Sequence, residues 1–207
     1  MDSRRTDTLR ASPRMFDSDL LDRLSRVHHS VPPLIFGPAI AVLFGLGQEN
    51  TPVLSAAAWL MGGFAFWTLF EYWMHRVVFH FEPEKGLGAR LHWIIHGVHH
   101  DHPNDPMRLV MPPSMSLPLA AIFYGLFVLA LGPASTPLVA AGFLAGYLAY
   151  DMLHYHVHHH RARTRLGKLL HELHMRHHFQ DHTRGFGVSA PFWDYVFRTP
   201  QLRSQRR

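Results

Sequence analysis

The chain contains no cysteine among its 207 residues. This absence excludes disulfide bonds, iron–sulfur clusters, thiolate zinc sites and cysteine nucleophiles. Charged side chains are also scarce, at 17% of the residues, and long apolar runs have almost none. The net charge is +5, but the basic residues flank apolar runs and form no stripe interleaved with aromatic residues. The basic residues are therefore expected to contact an anionic membrane surface rather than a nucleic acid, and no nucleic-acid partner is expected.

Four apolar runs are candidates for membrane-spanning helices. The first is short and holds Pro and Gly, which membrane helices tolerate. The second stays uncharged until Glu71 and ends beside Trp73. A soluble helical bundle is the alternative, but the interior of so short a chain is too small to bury four such runs. We predict spans over residues 31–47, 53–74, 115–132 and 138–155.

The distribution of Lys and Arg predicts the orientation in the membrane. These residues lie in 1–30, in 75–114 and after residue 155, whereas the turns 48–52 and 133–137 contain none. Positive charge marks the cytosolic side, and an even number of spans returns the chain to its starting side. Both termini and the histidine-rich segments are therefore expected in the cytosol.

The predicted fold class is an all-α integral membrane protein with four transmembrane helices and a cytosolic, histidine-rich helical cap. Residues 1–30 form a basic cytosolic arm, which has no cleavage site typical of a secretory signal peptide. Residues 31–207 form the membrane-embedded domain. Its cap comes from 75–114 and 156–200.

Nineteen histidines recur as spaced pairs and triplets rather than as one tract. Two triplets have the spacing i, i+3, i+4, which places three imidazoles on one side of a helix. A pair at i, i+5 precedes the first triplet and fits a turn or a π-helical bulge. Imidazole binds zinc, iron, copper and nickel, and ten nitrogens suit two ions with four or five each. The predicted ligands of this dinuclear centre are His75, His80, His96, His99, His100, His154, His158, His174, His177 and His178.

Two carboxylates precede ligand histidines by one helical turn. Glu71 can accept the second N–H of His75 and so fix its tautomer, although pairing with Arg76 at the membrane surface is an equal alternative. Asp151 lies near the membrane boundary, where a carboxylate needs a partner such as the imidazole of His154.

Two further histidines stand ahead of the triplets on the same helical faces. His92 precedes the first triplet and His171 precedes the second. Each has the right spacing to bind metal, to support a neighbouring ligand or to lie at the surface. We expect both to support the ligands.

Four segments carry a family resemblance. They are EYWMHRVVFH (71–80), HGVHHDHPNDPMRLVMPP (96–113), GYLAYDMLHYHVHH (146–159), and residues 174–178 continuing into FGVSAPFWDYVF (186–197). RLVMPP and FGVSAPFWD contain no predicted metal ligand, which makes the match specific. Together the segments resemble the fatty acid hydroxylase/sterol desaturase superfamily, and most closely its fatty acid 2-hydroxylase branch.

This resemblance implies a membrane monooxygenase of lipid metabolism. It implies O₂-dependent hydroxylation, at C2, of a long-chain fatty acid or of the acyl chain of a (sphingo)lipid, with the same ten histidines binding two metal ions. Some family members carry a fused cytochrome b5 domain. This chain has no His-Pro-Gly-Gly haem motif. Electrons are therefore expected from a separate protein, either cytochrome b5-like or a ferredoxin with its reductase.

The chemistry favours iron as the metal. Hydroxylating an unactivated C–H bond needs O₂ activation and two electrons, which no side chain supplies. Zinc binds imidazole as readily as iron does but has no redox chemistry. We expect two iron ions in the working enzyme, with zinc able to replace them in purified protein.

A few residues are candidates for contact with the substrate. Arg108, with Pro112 and Pro113, is placed to hold a polar head, and Phe192 and Trp193 to close the site. Eight aromatic residues of the spans could line an acyl channel, although helix packing or lipid contact is the better expectation for any one of them. These are Phe64, Phe66, Trp67, Phe70, Phe123, Tyr124, Phe127 and Phe143.

Two other functions compete with acyl hydroxylation. A carotenoid or sterol hydroxylase or desaturase would use the same metal cap, but RLVMPP favours the acyl branch. A divalent metal transporter or storage protein would also be rich in histidine. Transport favours ionisable residues inside the spans, whereas the predicted spans have charged residues only near their ends. The expected location is the bacterial inner membrane, or the ER membrane in a eukaryote.

Overall fold

The computed structural model describes residues 3–201, so both chain ends and the last positions of the predicted domain lie outside the described residues. The described part is helical and contains no β-strand. Its α-helices, in chain order, are α1 (Ser3–Arg10), α2 (Asp19–Leu24), α3 (Val31–Gln48), α4 (Val53–Trp73), α5 (Gly86–His92), α6 (Val98–Asp101), α7 (Pro113–Leu131), α8 (Thr136–His159), α9 (Arg165–Phe179) and α10 (Phe192–Val196).

Four of the described helices are long and apolar enough to cross a membrane, which confirms the predicted number of spans. Proline stands in the first turn of α3, α7 and α8, where its fixed φ suits a helix start. The second and fourth spans continue beyond their predicted ends at 74 and 155, because their histidine-bearing turns stay helical. The four segments are Val31–Gln48, Val53–Phe79, Pro113–Leu131 and Thr136–His159.

Helix α8 is the centre of the bundle. It packs against α3, α4 and α7, and it is buried over most of its length. The other three spans bury few of their side chains, and many of the exposed ones are large and apolar. So much exposed apolar surface is unfavourable in water and suits contact with lipid. The fold is that of a multi-pass membrane protein.

Helices α4 and α8 touch backbone to backbone through two glycines. A Cβ atom on Gly63 would lie 2.0 Å from the carbonyl oxygen of Val139, and one on Gly142 would lie 1.9 Å from that of Leu60. Small residues allow membrane helices to approach this closely. Since both helices carry ligand histidines at their ends, this contact sets the relative height of those histidines.

The aromatic side chains considered for an acyl channel instead form the core between the spans. Trp67, Phe127 and Phe143 are buried there, and Phe70 and Phe123 pack against them. The ring centroids of Trp67 and Phe143 lie 5.1 Å apart in an edge-to-face arrangement. Helix packing is thus the observed role of these five residues. The other three, Phe64, Phe66 and Tyr124, are exposed on the outside of the bundle.

The N-terminal arm is part of the cap. The backbone N–H of Val27 donates to the carbonyl of Met107 at 2.7 Å, and the N–H of Asn104 donates to the carbonyl of Leu9 at 3.0 Å. These bonds join the arm to the loop that follows the first histidine triplet. The arm therefore packs beside the candidate metal centre rather than extending away from it.

Candidate metal centre

Two π-helical segments carry ligand histidines into the cap. The first, Met74–Phe79, continues α4, and the backbone N–H of His80 bonds to the carbonyl of His75 at 3.2 Å. This wider turn brings residues five apart onto one face. The π-helical option for the i, i+5 pair is therefore confirmed. A second π-helix, Trp93–Gly97, carries His96, and no sequence pattern predicted it.

The structure gathers the ten predicted ligands into two groups of five. Within each group the candidate ligand atoms all lie within 4.8 Å of one another. Each group combines buried and half-buried imidazoles. We define site A as His75, His80, His96, His100 and His177, and site B as His99, His154, His158, His174 and His178.

Each half of the chain contributes the middle histidine of its triplet to the other half's site. His99 joins site B and His177 joins site A, whereas the outer two histidines of each triplet stay with their own half. The helical period explains the split, because residues i+3 and i+4 lie about 100° apart around the axis. The sequence expectation placed all three imidazoles on one side of the helix. It did not show that the middle one faces the other group of histidines.

The spacing of the imidazole nitrogens fits metal ions. The Nε2 atoms of His96 and His100 in site A are 3.0 Å apart, as are those of His99 and His154 in site B. Metal–imidazole bonds of about 2.1 Å at right angles place two ligand nitrogens about 3.0 Å apart. An all-nitrogen donor set of this kind suits iron, zinc, copper or nickel. Both sites can hold a metal ion.

Burial keeps the imidazoles neutral. It lowers the pKa of His80 and of His177 to about 4, and it lowers the pKa of His96 and His99 well below the usual value. Neighbouring imidazoles add to this effect because two cations would repel. Neutral imidazole is the form that binds metal, so the sites need release no proton at neutral pH. The pKa moves in the same direction for His100, His174 and His178.

Backbone carbonyls orient two ligands of site A. His75 donates from Nδ1 to the carbonyl of Phe186 at 2.7 Å, and His177 donates from Nδ1 to the carbonyl of Arg184 at 2.8 Å. A proton held at Nδ1 leaves the Nε2 lone pair free to face the site. The loop 184–189 is therefore part of the metal centre, although it contains no ligand.

The predicted contact between Glu71 and His75 is wrong, because the carbonyl of Phe186 occupies that imidazole nitrogen. Glu71 instead accepts hydrogen bonds from the backbone N–H of Ser189, at 2.8 Å, and from its hydroxyl. The alternative partner, Arg76, donates to the hydroxyl of the tyrosine one turn earlier. Glu71 thus acts on the ligand indirectly, by holding the loop that carries the Phe186 carbonyl.

Asp151 and His171 each bond to a backbone group of another segment. Asp151 accepts from the hydroxyl of Tyr147 at 2.9 Å and from the backbone N–H of Met111 at 3.4 Å. His171 donates from Nδ1 to the carbonyl of Val157 at 2.7 Å. Asp151 therefore binds Tyr147 and Met111 rather than the expected imidazole of His154. His171 fixes the backbone one residue before His158, and its supporting role stays a prediction.

A cleft of about 290 Å³ opens beside site A. His92 lies on its wall, so this predicted supporting residue is next to the site, without a ligand hydrogen bond among the described contacts. The sequence interpretation did not identify Glu82 and His182 as residues of this cleft. The only local signal for them was the position of Glu82, two residues after a predicted ligand. The lining residues are Glu82, His92, Trp93, Gly97, His100, Asp101 and His182.

The three substrate candidates lie away from open space at the sites. Arg108 is 3% exposed and pairs with Asp22 at 2.9 Å, so its guanidinium binds the N-terminal arm. The indole of Trp193 donates to the hydroxyl of Thr68 on α4 at 3.1 Å. Phe192 is exposed on α10. The predicted roles in head-group binding and closure therefore find no support in these contacts.

Comparison with known proteins finds relatives that match most of the chain. A family model described as fatty acid hydroxylase matches residues 60–199. The chain is 33% identical over 188 residues to a dihydroceramide fatty acyl 2-hydroxylase of Arabidopsis thaliana, covering 90% of this chain and 79% of that protein. It is 37% identical over 185 residues to a ceramide very long chain fatty acid hydroxylase of Saccharomyces cerevisiae, covering 87% and 48%. The solved structure of full-length scs7p, with only the hydroxylase domain visible, matches with a TM-score of 0.84 at 35% identity, covering 90% of this chain and 71% of that one.

Proposed function

The chain belongs to the fatty acid hydroxylase family, and from this membership and the two histidine sites we propose that it hydroxylates a long-chain acyl group at C2. The substrate is a fatty acid or the acyl chain of a sphingolipid, the class named for its relatives. The observation that carries the proposal is the pair of five-histidine sites at one end of the membrane helices.

Two iron ions are the proposed cofactors, one in each site. The nitrogen donors accept several metals, but the reaction is an oxidation and zinc has no redox chemistry. When bound, the iron pair supplies O₂ activation and the oxidation of the C–H bond. His75, His80, His96, His100 and His177 hold one ion, and His99, His154, His158, His174 and His178 hold the other.

The chain's own residues orient the ligands and exclude water. The carbonyls of Phe186 and Arg184 hold Nδ1 protons, so that Nε2 faces the metal position. His75, His99 and His177 are buried, which keeps solvent from the space between the ligand nitrogens. Exclusion of water limits side reactions during oxidation.

The position of the sites favours C2. His75 and His154 lie near the ends of the spans Val53–Phe79 and Thr136–His159, so the metal positions are close to the membrane surface. An acyl chain in a bilayer has its carboxyl end near that surface and its distal carbons at the midplane. The carbon next to the carboxyl group is therefore within reach of the sites, whereas distal carbons are not.

The cap and both termini are proposed to lie in the cytosol, because the basic residues lie on that side of the spans. O₂ is the second substrate. A separate cytosolic or membrane-bound protein, either cytochrome b5-like or a ferredoxin with its reductase, supplies electrons. Location in a bacterial inner membrane, or in the ER membrane of a eukaryote, stays a prediction.

Lipid mass spectrometry of cells that express the chain with an electron donor tests the proposal. We expect one added oxygen at C2 of fatty acids or sphingolipids, lost in a His99→Ala/His177→Ala double variant. The control is His156→Ala, which changes an exposed histidine outside both sites and should keep the product.

Two results would contradict the acyl assignment. New oxygen on a carotenoid or sterol, with unchanged acyl chains, would place the chain in a sibling branch. Unchanged lipids together with altered zinc or nickel content of the cells would favour transport or storage.

A further inference from the structure

We propose that the two metal sites are unequal, and that site A binds its ion more tightly because Asp194 holds the loop that orients two site A ligands. Asp194 is thus a positioning residue. This inference rests on the proposed dinuclear centre, but it concerns metal affinity and can be tested without turnover.

Site A has hydrogen-bond acceptors for three of its five imidazoles. Two donate from Nδ1 to the carbonyls of Phe186 and Arg184, at 2.7 and 2.8 Å. For a third, His80, Nδ1 lies 3.3 Å from a carboxylate oxygen of Glu82. Each acceptor favours the tautomer that has its proton on Nδ1 and its lone pair on Nε2. These ligands are therefore already in their metal-binding form.

In site B, three of the five imidazoles lack such an acceptor among the described residues. Within residues 3–201, the buried Nδ1 atoms of His158, His174 and His178 have no hydrogen-bond partner. The Nε2 atoms of His158 and His174 lie 2.8 Å apart, and those of His174 and His178 lie 3.1 Å apart. Without a metal, a proton on one Nε2 can be shared with the next imidazole.

Metal binding therefore has different consequences at the two sites. A metal on Nε2 moves the imidazole proton to Nδ1. In site A that proton meets a carbonyl or carboxylate, whereas in site B it becomes a buried N–H without a partner, which is unfavourable. Loss of such partners typically weakens metal affinity by about 10- to 100-fold.

Asp194 holds the orienting loop of site A in place. Its Oδ1 accepts from the backbone N–H of Phe186 at 2.9 Å, and its Oδ2 accepts from that of Gly187 at 3.0 Å. The hydroxyl of Thr199 also donates to Oδ1, at 2.9 Å. The Asp194 residue is 3% exposed, so water does not replace these bonds. Asp194 touches neither ligand and acts through the carbonyls.

Solvent access speeds the release of metal from site A, whereas tighter binding slows it. His100 of site A lines the cleft of about 290 Å³, which gives a chelator a path to that ion. Rates of metal release therefore combine access with affinity. Equilibrium affinity does not depend on the path, so it is the quantity that tests the inference.

The probe is Zn²⁺, competed from the loaded full-length protein in detergent with chelators of graded affinity. We expect two steps of one ion each, with dissociation constants that differ by about 10-fold or more. His100→Ala and His178→Ala change the same position of the two triplets. His100→Ala should weaken the tighter step, and His178→Ala the weaker one.

The Asp194→Asn variant tests the positioning role. Its amide nitrogen cannot accept a backbone N–H, so the tighter step should weaken by about 10-fold with the weaker step unchanged. The matched control is Asp105→Asn. Asp105 is also 3% exposed and accepts from the backbone N–H of Met107 at 2.9 Å, but that loop carries no carbonyl to a ligand. This control should leave both steps unchanged.

Three results would overturn the inference: equal steps in the unmodified protein, loss of the tighter step in His178→Ala, or equal weakening of both steps in Asp194→Asn. If Asp194→Asn fails to fold, the unmodified protein and the triplet variants still decide. Equal affinities in a chain that hydroxylates lipid would remove this inference alone. Unequal affinities in a chain without lipid product would remove the proposed function alone.

Discussion

At the residue scale, Glu71 and Asp151 show how two carboxylates join the halves of the chain. Glu71 binds the backbone N–H of Ser189, eleven residues after the second triplet, and Asp151 binds that of Met111, eleven residues after the first. Each carboxylate thus holds the loop that follows the other half's triplet. This crossing matches the exchange of the middle histidines between the sites.

The ion pair of Asp22 with Arg108 predicts that acid releases the N-terminal arm. The backbone N–H of Met15 and the Arg108 guanidinium hold the pKa of Asp22 below its usual value. A depressed pKa stabilises the folded state fully above the unfolded value of about 4, and this contribution is lost as pH falls towards the folded pKa. Protection factors for amide hydrogen exchange of residues 15–27, which are corrected for the intrinsic rate at each pH, should be high at pH 5 and fall below about pH 4.

The Asp22→Asn variant is expected to have low protection factors in the arm at every pH, because it removes the ion pair with Arg108 at 2.9 Å and leaves that guanidinium with the more distant Asp105, at 3.9 Å. Breaking such a pair costs about 3 kcal/mol. The control is Asp19→Asn in the same helix, since Asp19 pairs with Arg14 at 86% side-chain exposure and should contribute little. Equal protection factors for the unmodified arm at pH 5 and pH 3 would show that the pair does not hold it.

At the element scale, the contact between α4 and α8 predicts a strong effect of one methyl group. Gly142→Ala places a Cβ atom 1.9 Å from the backbone oxygen of Leu60, which cannot move aside as a side chain can. The helices must separate, and we expect a loss of stability of at least about 3 kcal/mol, the upper end for overpacking. Thermal unfolding in detergent measures this loss, and metal content should fall with it.

The control for this contact is Gly62→Ala, next to Gly63 in α4. A Cβ atom at Gly62 has nothing within 4 Å, and alanine favours a helix over glycine by about 1 kcal/mol. Stability should therefore stay equal or rise slightly. Equal unfolding temperatures of the Gly142→Ala and Gly62→Ala proteins would mean that the two helices are not in backbone contact.

At the scale of the whole molecule, the absence of cysteine allows a direct test of orientation. Single cysteines at Asn50 and Ala134 report the two short turns, and one at Arg163 reports the cap; all three positions are exposed. In right-side-out membranes, an impermeant maleimide should label the cysteines at positions 50 and 134 but not the one at 163. The unmodified chain is the unlabelled control.

Other labelling patterns would change the topology. The reverse pattern would place the cap outside the cytosol, against the charge distribution. Labelling of all three positions from one side would contradict four crossings of the membrane.

The sequence by itself determined the spans, the helical class and the family. Each depends on local order along the chain: apolar length for a span, and fixed spacing for the histidine motifs. It also identified the ten histidines that the structure gathers into two groups. Their role as ligands follows from chemistry and stays a prediction. The π-helical option at His75 came from the same local reasoning, since a five-residue spacing fits few helical faces.

Only the tertiary structure decided which histidines fall into the same group and what holds them. The carbonyl that orients His75 belongs to Phe186, 111 residues away, and no local pattern encodes such a pairing. The partners of Arg108 and Glu71 were not predicted for the same reason, because Asp22 and Ser189 come from distant segments. Side-chain spacing predicts which residues share a helical face, but the packing of helices decides what that face meets.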